Sequence, residues 1–252
     1  MYIKPNSNLR KIFYIATAKV EIKLNKFLQE NLGISRRNAD NLIRQGKVIV
    51  DGKVARPRQK IDPRKQKVIC EGKLVRPRRR KKLYYVFHKP TGYICSRRGF
   101  KTIYDVIPKK LQHLDYVGRL DVNTSGVLLL TDDGEFAQKI MRSRISRVYQ
   151  VELNEPLSDD AAAVLRDGPF LDGRRVDIGA VEIDGRNVLV ELFEGRYRAV
   201  RRMFAALGYE VKTLVRVRFG PVELGELPES QLRPLTGAEL RELRRQTENS
   251  PA

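Results

Sequence analysis

The sequence has few of the residues that build disulfide scaffolds and metal centres. Its 252 residues include two cysteines, Cys70 and Cys95, and two histidines, His88 and His113. So few cysteines exclude a disulfide-rich fold and a Cys-rich zinc site. The histidines stand alone and far apart in the chain, which argues against zinc binding as well. We therefore expect no metal ion.

Long apolar segments and glycine-rich phosphate loops are also absent. No apolar run approaches the roughly 18–20 residues that a membrane-spanning helix needs, so we expect no membrane partner. Neither a Gly-x-Gly-x-x-Gly nor a Walker pattern occurs, which leaves a nucleotide-binding loop without support. Residues 12–18 resemble a short signal-peptide core, but Lys19 follows at once. We interpret residues 1–20 as a basic N-terminal extension and expect a cytoplasmic protein.

Positive charge is abundant and lies mainly in the first third of the chain. The net charge is +20; residues 1–82 hold 24 Lys and Arg against 6 Asp and Glu, whereas residues 83–252 hold 26 against 24. A surplus of this density attracts a polyanion, most simply nucleic acid. The alternative is a basic surface that only aids solubility. With 41% hydrophobic residues the chain can also bury a core, so it is not a disordered polycation.

Residues 21–80 are predicted to form a small basic domain of two helices followed by two hairpins. The first helix ends at Gly33, a typical C-cap residue, and Ser35 suits the N-cap of the second helix. The hairpins are 48–54, which turns at Asp-Gly, and 68–74, which turns at Glu-Gly. Residues 76–82 are basic, contain a proline and have no apolar side chain to bury, so we predict a linker with a domain boundary near residue 80.

The second part of the chain is predicted to be an α+β domain with a mixed or antiparallel sheet. Strands dominate the pattern, and one of them, around residues 127–130, is apolar enough to be buried on both faces. The predicted strands cover residues 83–87, 127–130, 148–153, 188–193, 210–214 and 215–219. The predicted helices cover residues 135–142 and 198–207.

An irregular loop at residues 118–126 precedes the buried strand. Asp121 lies on this loop, and catalytic groups often sit on loops that a rigid strand holds in place. From the residues alone, an aspartate in a turn more often caps the turn or faces solvent. Both interpretations stay open at this point.

Four segments, in order, resemble motifs of the bacterial ribosomal RNA pseudouridine synthases of the RsuA/RluB type. They are Lys89-Pro90-x-Gly92, Gly118-Arg119-Leu120-Asp121-x-x-Thr124-Ser125-Gly126, Arg147-Val148-Tyr149-Gln150-Val151 and Glu194-Gly195-Arg196-Tyr197-Arg198-Ala199-Val200-Arg201-Arg202-Met203. The resemblance covers about residues 83–245, which leaves 246–252 as a tail. Residues 21–80 resemble the S4-type (alpha-L) RNA-binding domain that precedes the catalytic domain in this family.

The resemblance implies an enzyme that isomerises uridine in RNA with no metal, nucleotide or redox cofactor. It assigns the essential catalytic carboxylate to Asp121, a cation that pairs with it to Arg201, and the aromatic ring that stacks on the target uracil to Tyr149. Arg119, beside the carboxylate, is implied to contact phosphate or to fill the vacated base stack. Without the resemblance, Arg201 is a solvated helix residue, Tyr149 a packing residue of a strand and Arg119 a solvated loop residue.

The resemblance also implies that ribosomal RNA is the partner of a monomeric protein. The S4-type helices and hairpin offer basic side chains to phosphate, namely Arg36, Arg37, Arg44, Lys47 and Lys53. Tyr197 and Ala199 depart from the family's Asn and Gln. Residues 214–220 favour large-subunit (23S) rRNA as substrate. A small-subunit (16S) enzyme and a non-catalytic RNA-binding assembly factor are the alternatives.

Overall fold

The computed structural model describes residues 21–77 and 81–248, which form two compact units with a break between Lys81 and Lys82. The break lies next to the boundary that we predict near residue 80. The predicted N-terminal extension, the middle of the predicted linker (78–80) and the last four residues of the predicted tail lie outside the described residues. None of the helices in the two described ranges is long and apolar enough to cross a bilayer.

The first unit consists of two helices packed on short antiparallel strands. A four-stranded sheet has the order β3-β2-β5-β6, and β1 pairs with β4. Its helices are α1 (Leu24–Leu32) and α2 (Arg36–Arg44), and its strands are β1 (Ile22–Lys23), β2 (Val48–Val50), β3 (Lys53–Val54), β4 (Lys60–Ile61), β5 (Val68–Cys70) and β6 (Lys73–Val75). The predicted helix–turn–helix and both hairpins are therefore present.

Local chemistry explains the turns of this unit. Gly33 ends α1 in the left-handed conformation, at φ 72°, and the Ser35 hydroxyl accepts a hydrogen bond of 3.2 Å from the Asn38 N–H at the start of α2. Asp51 and Gly52 both have positive φ, as a two-residue hairpin turn requires. The apolar faces of both helices and of the sheet then close over one core.

The second unit is built on a nine-stranded mixed sheet, which confirms the predicted fold class. Its order is β13-β14-β10-β15-β9-β7-β17, with β16 beside β15 and β8 beside β9. The nine strands of this sheet are β7 (Tyr84–Lys89), β8 (Asp115–Val117), β9 (Ser125–Thr131), β10 (Arg147–Leu153), β13 (Ile178–Asp184), β14 (Asn187–Leu192), β15 (Val211–Phe219), β16 (Val222–Glu223) and β17 (Leu232–Pro234). β11 (Phe170–Leu171) and β12 (Arg174–Arg175) form a separate two-stranded sheet. The helices are α3 (Gly134–Arg142), α4 (Asp159–Asp167), α5 (Ala199–Ala206) and α6 (Gly237–Glu248).

The centre of this sheet explains the glycine before the buried strand. Every residue of β9 is buried, as its apolar sequence predicts. β9 runs parallel to β15, whereas the other pairings in the sheet are antiparallel. At Gly126 (φ 108°) the two backbones approach so closely that a Cβ atom would lie 2.6 Å from the Arg216 nitrogen. Only glycine fits there.

Several features of the second unit differ from the sequence prediction, which did not include the strands β8, β11, β12, β13, β16 and β17. Residues 211–219 form one continuous strand where we predict two, because no turn residue separates Leu214 from Val215. α4 was not predicted. α6 was also not predicted, and it continues to Glu248, so residues 246–248 are helical and do not belong to a tail. Leu243 is the only residue that α6 buries, and polar pairs such as Arg245 with Glu242 stabilise the helix. The apolar periodicity of its sequence is therefore weak, which is why the helix was not predicted.

Candidate active site

A pocket of about 220 Å³ lies where the 118–124 loop, β10 and the start of α5 meet. Its lining includes the three predicted catalytic residues, Asp121, Tyr149 and Arg201, together with Arg119. These side chains come from three separate motifs, and the structure brings all four into one pocket. The remaining polar lining comes from Thr124, Arg147, Glu194, Arg196, Tyr197, Arg198 and Arg216.

The loop that carries Asp121 is held by Lys89, the last residue of β7. The fully buried Lys89 ammonium donates hydrogen bonds to the backbone oxygens of Asp121 at 3.0 Å, Thr124 at 2.8 Å and Pro90 at 2.9 Å. Burial lowers the pKa of Lys89 to about 8. The sequence analysis names Lys89 only as part of a motif. In the structure its ammonium holds the loop through these three hydrogen bonds, which we call the Lys89 clamp.

The segment after Lys89 holds the same loop at two more points. The Gly92 N–H donates to the Val122 oxygen at 2.7 Å. The Cys95 thiol donates to the Leu120 oxygen at 3.4 Å, and its sulfur accepts from the Leu120 N–H at 3.5 Å. Backbone contacts on both sides of Asp121 therefore fix the position of its side chain, which is 31% exposed and faces the pocket.

The cation next to the Asp121 carboxylate is Arg198. Its Nη1 atom lies 3.9 Å from Asp121 Oδ2, and Arg198 precedes α5 in the left-handed conformation, at φ 49°. The ion pair that we predict between Asp121 and Arg201 is not formed within 4.0 Å. Arg201 instead donates to the backbone oxygens of Val211 at 2.9 Å and Asn123 at 2.6 Å.

Arg201 nevertheless remains in the electrostatic environment of the site. Burial and, to a smaller extent, the charge of Arg198 lower the pKa of Arg201, while the Asp121 carboxylate raises it. Through the oxygen of Asn123, Arg201 holds the far end of the 118–124 loop. The prediction of a direct ion pair failed because these two carbonyl oxygens take up the guanidinium. Arg198 lies in the same motif as Arg201, so the motif was the sequence signal that could have indicated Arg198 as the cation beside Asp121.

Tyr149 lies on β10, opposite Val190 of β14 and Arg216 of β15. It is half-buried and packs against the apolar clusters on both sides of the pocket while it lines the pocket itself. Its ring is thus supported by packing and still accessible from the pocket, which is what a stacking surface for a planar ligand requires.

Two buried arginines make the pocket floor cationic. Arg147 donates to the Ile145 oxygen at 2.7 Å, and Arg216 donates from Nε to the Val127 oxygen at 2.8 Å. Both guanidinium groups lie 5.2 Å from the centroid of the Phe219 ring. Arg216 is 3% exposed, and within the described ranges its buried Nη2 atom has no hydrogen-bond partner. The floor therefore suits a ligand that supplies oxygen acceptors.

The predicted phosphate-binding residues all lie on the surface of the first unit. They are Arg36, Arg37, Arg44, Lys47 and Lys53, and each is exposed. Arg36 donates to the Gln29 side chain at 3.0 Å, and Lys47 pairs with Glu71 at 3.2 Å, so both side chains already have protein partners. That these residues contact phosphate stays a prediction.

Comparison with known proteins agrees with this combination of fold and pocket. Residues 83–206 match the family described as RNA pseudouridylate synthase, and residues 22–76 match the S4 domain. The chain is 34% identical to ribosomal small subunit pseudouridine synthase A of Haemophilus influenzae, over 88% of this chain and 99% of the relative. It is 36% identical to an uncharacterized RNA pseudouridine synthase of Aquifex aeolicus, over 89% and 94%.

A solved structure supports the same family. The crystal structure of a pseudouridylate synthase is 35% identical, with a TM-score of 0.64 and coverage of 88% of this chain and 99% of that chain. Fold and pocket therefore define an isomerase that acts on RNA. The chain belongs to the RNA pseudouridine synthases, within the RsuA family and with an N-terminal S4 domain, which confirms the family and enzyme class that the motifs predict.

Proposed function

We propose that this enzyme converts a specific uridine of small-subunit ribosomal RNA into pseudouridine. The support is the naming of relatives such as the Haemophilus influenzae protein, which matches along nearly its whole length. A relative from Vibrio vulnificus, 33% identical over 87% of this chain, carries the same name. The preference for large-subunit rRNA that we drew from residues 214–220 receives no support from these relatives.

The observation that carries the proposal is the placement of Asp121. Its carboxylate faces the pocket beside Arg198, and three backbone tethers, from Lys89, Gly92 and Cys95, hold its loop. In the isomerisation, the bond between N1 of uracil and C1′ of the ribose breaks and a bond between C5 and C1′ forms. C5 then loses its proton, and N1, which carried none in uridine, gains one. We assign Asp121 to the ribose, either as nucleophile on C1′ or as the base that leads to a glycal-type intermediate.

The rest of the pocket suits a uracil that has left its base stack. We infer that Tyr149 stacks on the flipped ring, since an aromatic surface replaces the stacking lost in the RNA. The unpaired Nη2 of Arg216 would donate to a uracil carbonyl oxygen. Arg119, on the same loop as Asp121, would contact the phosphate backbone or fill the space that the flipped base leaves in the stack.

We assign the exposed basic residues of the S4 domain to phosphate contacts. Arg36, Arg37, Arg44, Lys47 and Lys53 would position the RNA without reading its sequence. A ribosomal RNA substrate also fits the cytoplasmic location that we expect. The monomeric state stays a prediction.

The test is the release of tritium from 5-tritiated uridine in 16S and 23S rRNA, as naked transcripts and as ribosomal particles. We expect release from 16S rRNA by the wild type and none by Asp121→Asn. Release confined to 23S rRNA would overturn the proposed substrate. RNA binding without release from any substrate would favour the alternative of a non-catalytic assembly factor.

A further inference from the structure

The turn at residues 96–101 exposes an aromatic side chain that the fold does not use. Phe100 is 84% exposed, more than the other large hydrophobic residues that the structure records as exposed. It lies after β7 and before the short helical turn at Ile103–Asp105. An isolated exposed apolar side chain is ordinary on a protein surface, so the surroundings of Phe100 decide whether it has a role.

The turn that presents Phe100 is firmly held at its base. The Arg97 guanidinium donates to the Asp115 carboxylate at 2.7 Å and to the Leu114 oxygen at 2.9 Å, and lies 4.5 Å from the Tyr104 ring centroid. The Ile94 N–H donates to the Lys101 oxygen at 2.9 Å and closes the turn. Phe100 is thus carried by a braced turn.

The base of the turn contacts the loop that carries the catalytic carboxylate. Cys95 directly precedes the turn, and its thiol exchanges hydrogen bonds with the backbone of Leu120, the neighbour of Asp121. Cys95 thus joins the base of the turn to the loop of Asp121, and we infer that an RNA strand whose target base enters the pocket passes along this turn. This path takes RNA as the substrate and so rests on the proposed function.

The charges around Phe100 suit a nucleic acid. Arg98 and Lys101 flank it and are exposed, and Lys101 Nζ lies 5.7 Å from the centroid of its ring. Two more exposed lysines follow at positions 109 and 110. The acidic groups nearby are engaged: Asp105 accepts from the Thr102 N–H, and Asp115 pairs with Arg97. An exposed aromatic ring among exposed cations is an arrangement that can stack on unpaired bases while contacting their phosphates.

We propose that Phe100 is a stacking platform for an unpaired nucleobase of the substrate RNA, adjacent to the target uridine. Arg98 and Lys101 contact the phosphates on either side of that base. The platform is separate from Tyr149, which faces the pocket. It holds the substrate in register, so it acts on binding of RNA and leaves the isomerisation step to the pocket.

The first experiment uses the absence of tryptophan from the sequence. Phe100→Trp in the Asp121→Asn background places a single indole on the turn of a protein that binds RNA without turnover. We expect titration with a 16S rRNA transcript to quench its fluorescence. Val164→Trp in the same background is the control, because Val164 is 48% exposed on α4, whose first turn carries Asp159 and Asp160. Equal quenching at both positions, or none at position 100, would overturn the proposal.

The second experiment measures turnover. Stacking of one base predicts that Phe100→Ala raises KM for 16S rRNA by about 10- to 100-fold, with kcat changed less than about threefold. Phe100→Tyr keeps a ring and should restore KM. Unchanged KM in Phe100→Ala would refute the platform. If the wild type releases no tritium from 16S rRNA while that RNA quenches the indole at position 100, the platform stands and the proposed substrate fails.

Discussion

The ammonium of Lys89 lies 3.0 Å from the backbone oxygen of Asp121, so the candidate carboxylate is positioned through its main chain. The same nitrogen also contacts the oxygens of Pro90 and Thr124. The loop that carries Asp121 is irregular and follows a strand only 3 residues long, β8. The loop lacks the regular hydrogen bonds of a helix or sheet, and the buried ammonium of Lys89 bonds its backbone oxygens instead.

Loss of this clamp should reduce turnover without abolishing RNA binding. Lys89→Met keeps an apolar stem but leaves three carbonyl oxygens without their donor, so the loop shifts. Because a displacement of about 1 Å in an active site costs on the order of 100-fold in rate, we expect a fall of about 10- to 100-fold in the single-turnover rate of tritium release. Lys139→Met, on the exposed face of α3, is the control. A wild-type rate in Lys89→Met would show that the clamp is dispensable.

The buried charge of Lys89 also predicts how stability depends on pH. The native pKa is about 8, while a lysine in the unfolded chain titrates near 10.4. Between these values the unfolded chain keeps a proton that the native protein has released, so stability rises with pH. Below about pH 8 both states are protonated, and this contribution does not change. Stability rises because loss of the proton removes the free-energy cost of burying the Lys89 charge in the native protein.

Urea unfolding at pH 7, 8, 9 and 10 measures this contribution. Relative to Lys89→Met, the free energy of unfolding of the wild type should be constant up to about pH 8 and then rise by up to about 1.4 kcal/mol per pH unit. The comparison with Lys89→Met cancels the titration of groups that both proteins share. A constant or falling difference above pH 8 would contradict the native pKa of Lys89.

Arg198 and Arg201 should differ in what they contribute. Arg198 lies 3.9 Å from the carboxylate of Asp121. Arg201 instead donates hydrogen bonds to the backbone oxygens of Val211 and Asn123. Arg198→Gln should lower the single-turnover rate by about fivefold, as expected for a partly exposed ion pair of about 1 kcal/mol. Arg201→Gln should lower the free energy of unfolding by about 1–3 kcal/mol, because two oxygens lose a charged donor.

A double-mutant cycle separates these roles. The stability effects of Arg201→Gln and Asp121→Asn should couple by less than about 1 kcal/mol, since the two charges act on each other without forming an ion pair within 4.0 Å in the structure. Arg201→Lys keeps one donor and should fall between the wild type and Arg201→Gln in stability. Coupling of several kcal/mol between positions 121 and 201 in the free energy of unfolding would instead support the ion pair that the motifs alone suggest.

The sequence predicts best where the signal is local. Gly33, Ser35 and the Asp51-Gly52 turn have the predicted roles because capping and hairpin turns depend on a few adjacent residues. α6 was missed for the opposite reason. It buries Leu243 alone and is otherwise stabilised by polar side chains, so its sequence has little helical periodicity.

At the site, the motifs predict which residues meet but not what each one touches. Asp121, Tyr149 and Arg201 line one pocket as expected. The Lys89 clamp and the proximity of Arg198 to Asp121 depend on contacts between segments far apart in the chain, which composition and spacing do not encode. A guanidinium can donate to a carboxylate or to a carbonyl oxygen. Only the fold decides between the two.

Gly126 gives the sharpest test of how the buried strand fixes the site. It has φ 108°, and a Cβ atom there would lie 2.6 Å from the Arg216 nitrogen and closer still to the Arg216 oxygen. Backbone atoms in the centre of a sheet cannot move aside, so Gly126→Ala should destabilise the protein by more than about 3 kcal/mol and disturb the pocket floor at Arg216. Gly134→Ala is the matched control, because nothing lies within 4 Å of its Cβ position at the start of α3. It should be neutral or stabilise by up to about 1 kcal/mol. Urea unfolding of both variants measures the difference, and equal stability would mean that β9 and β15 are not packed as closely as the structure shows.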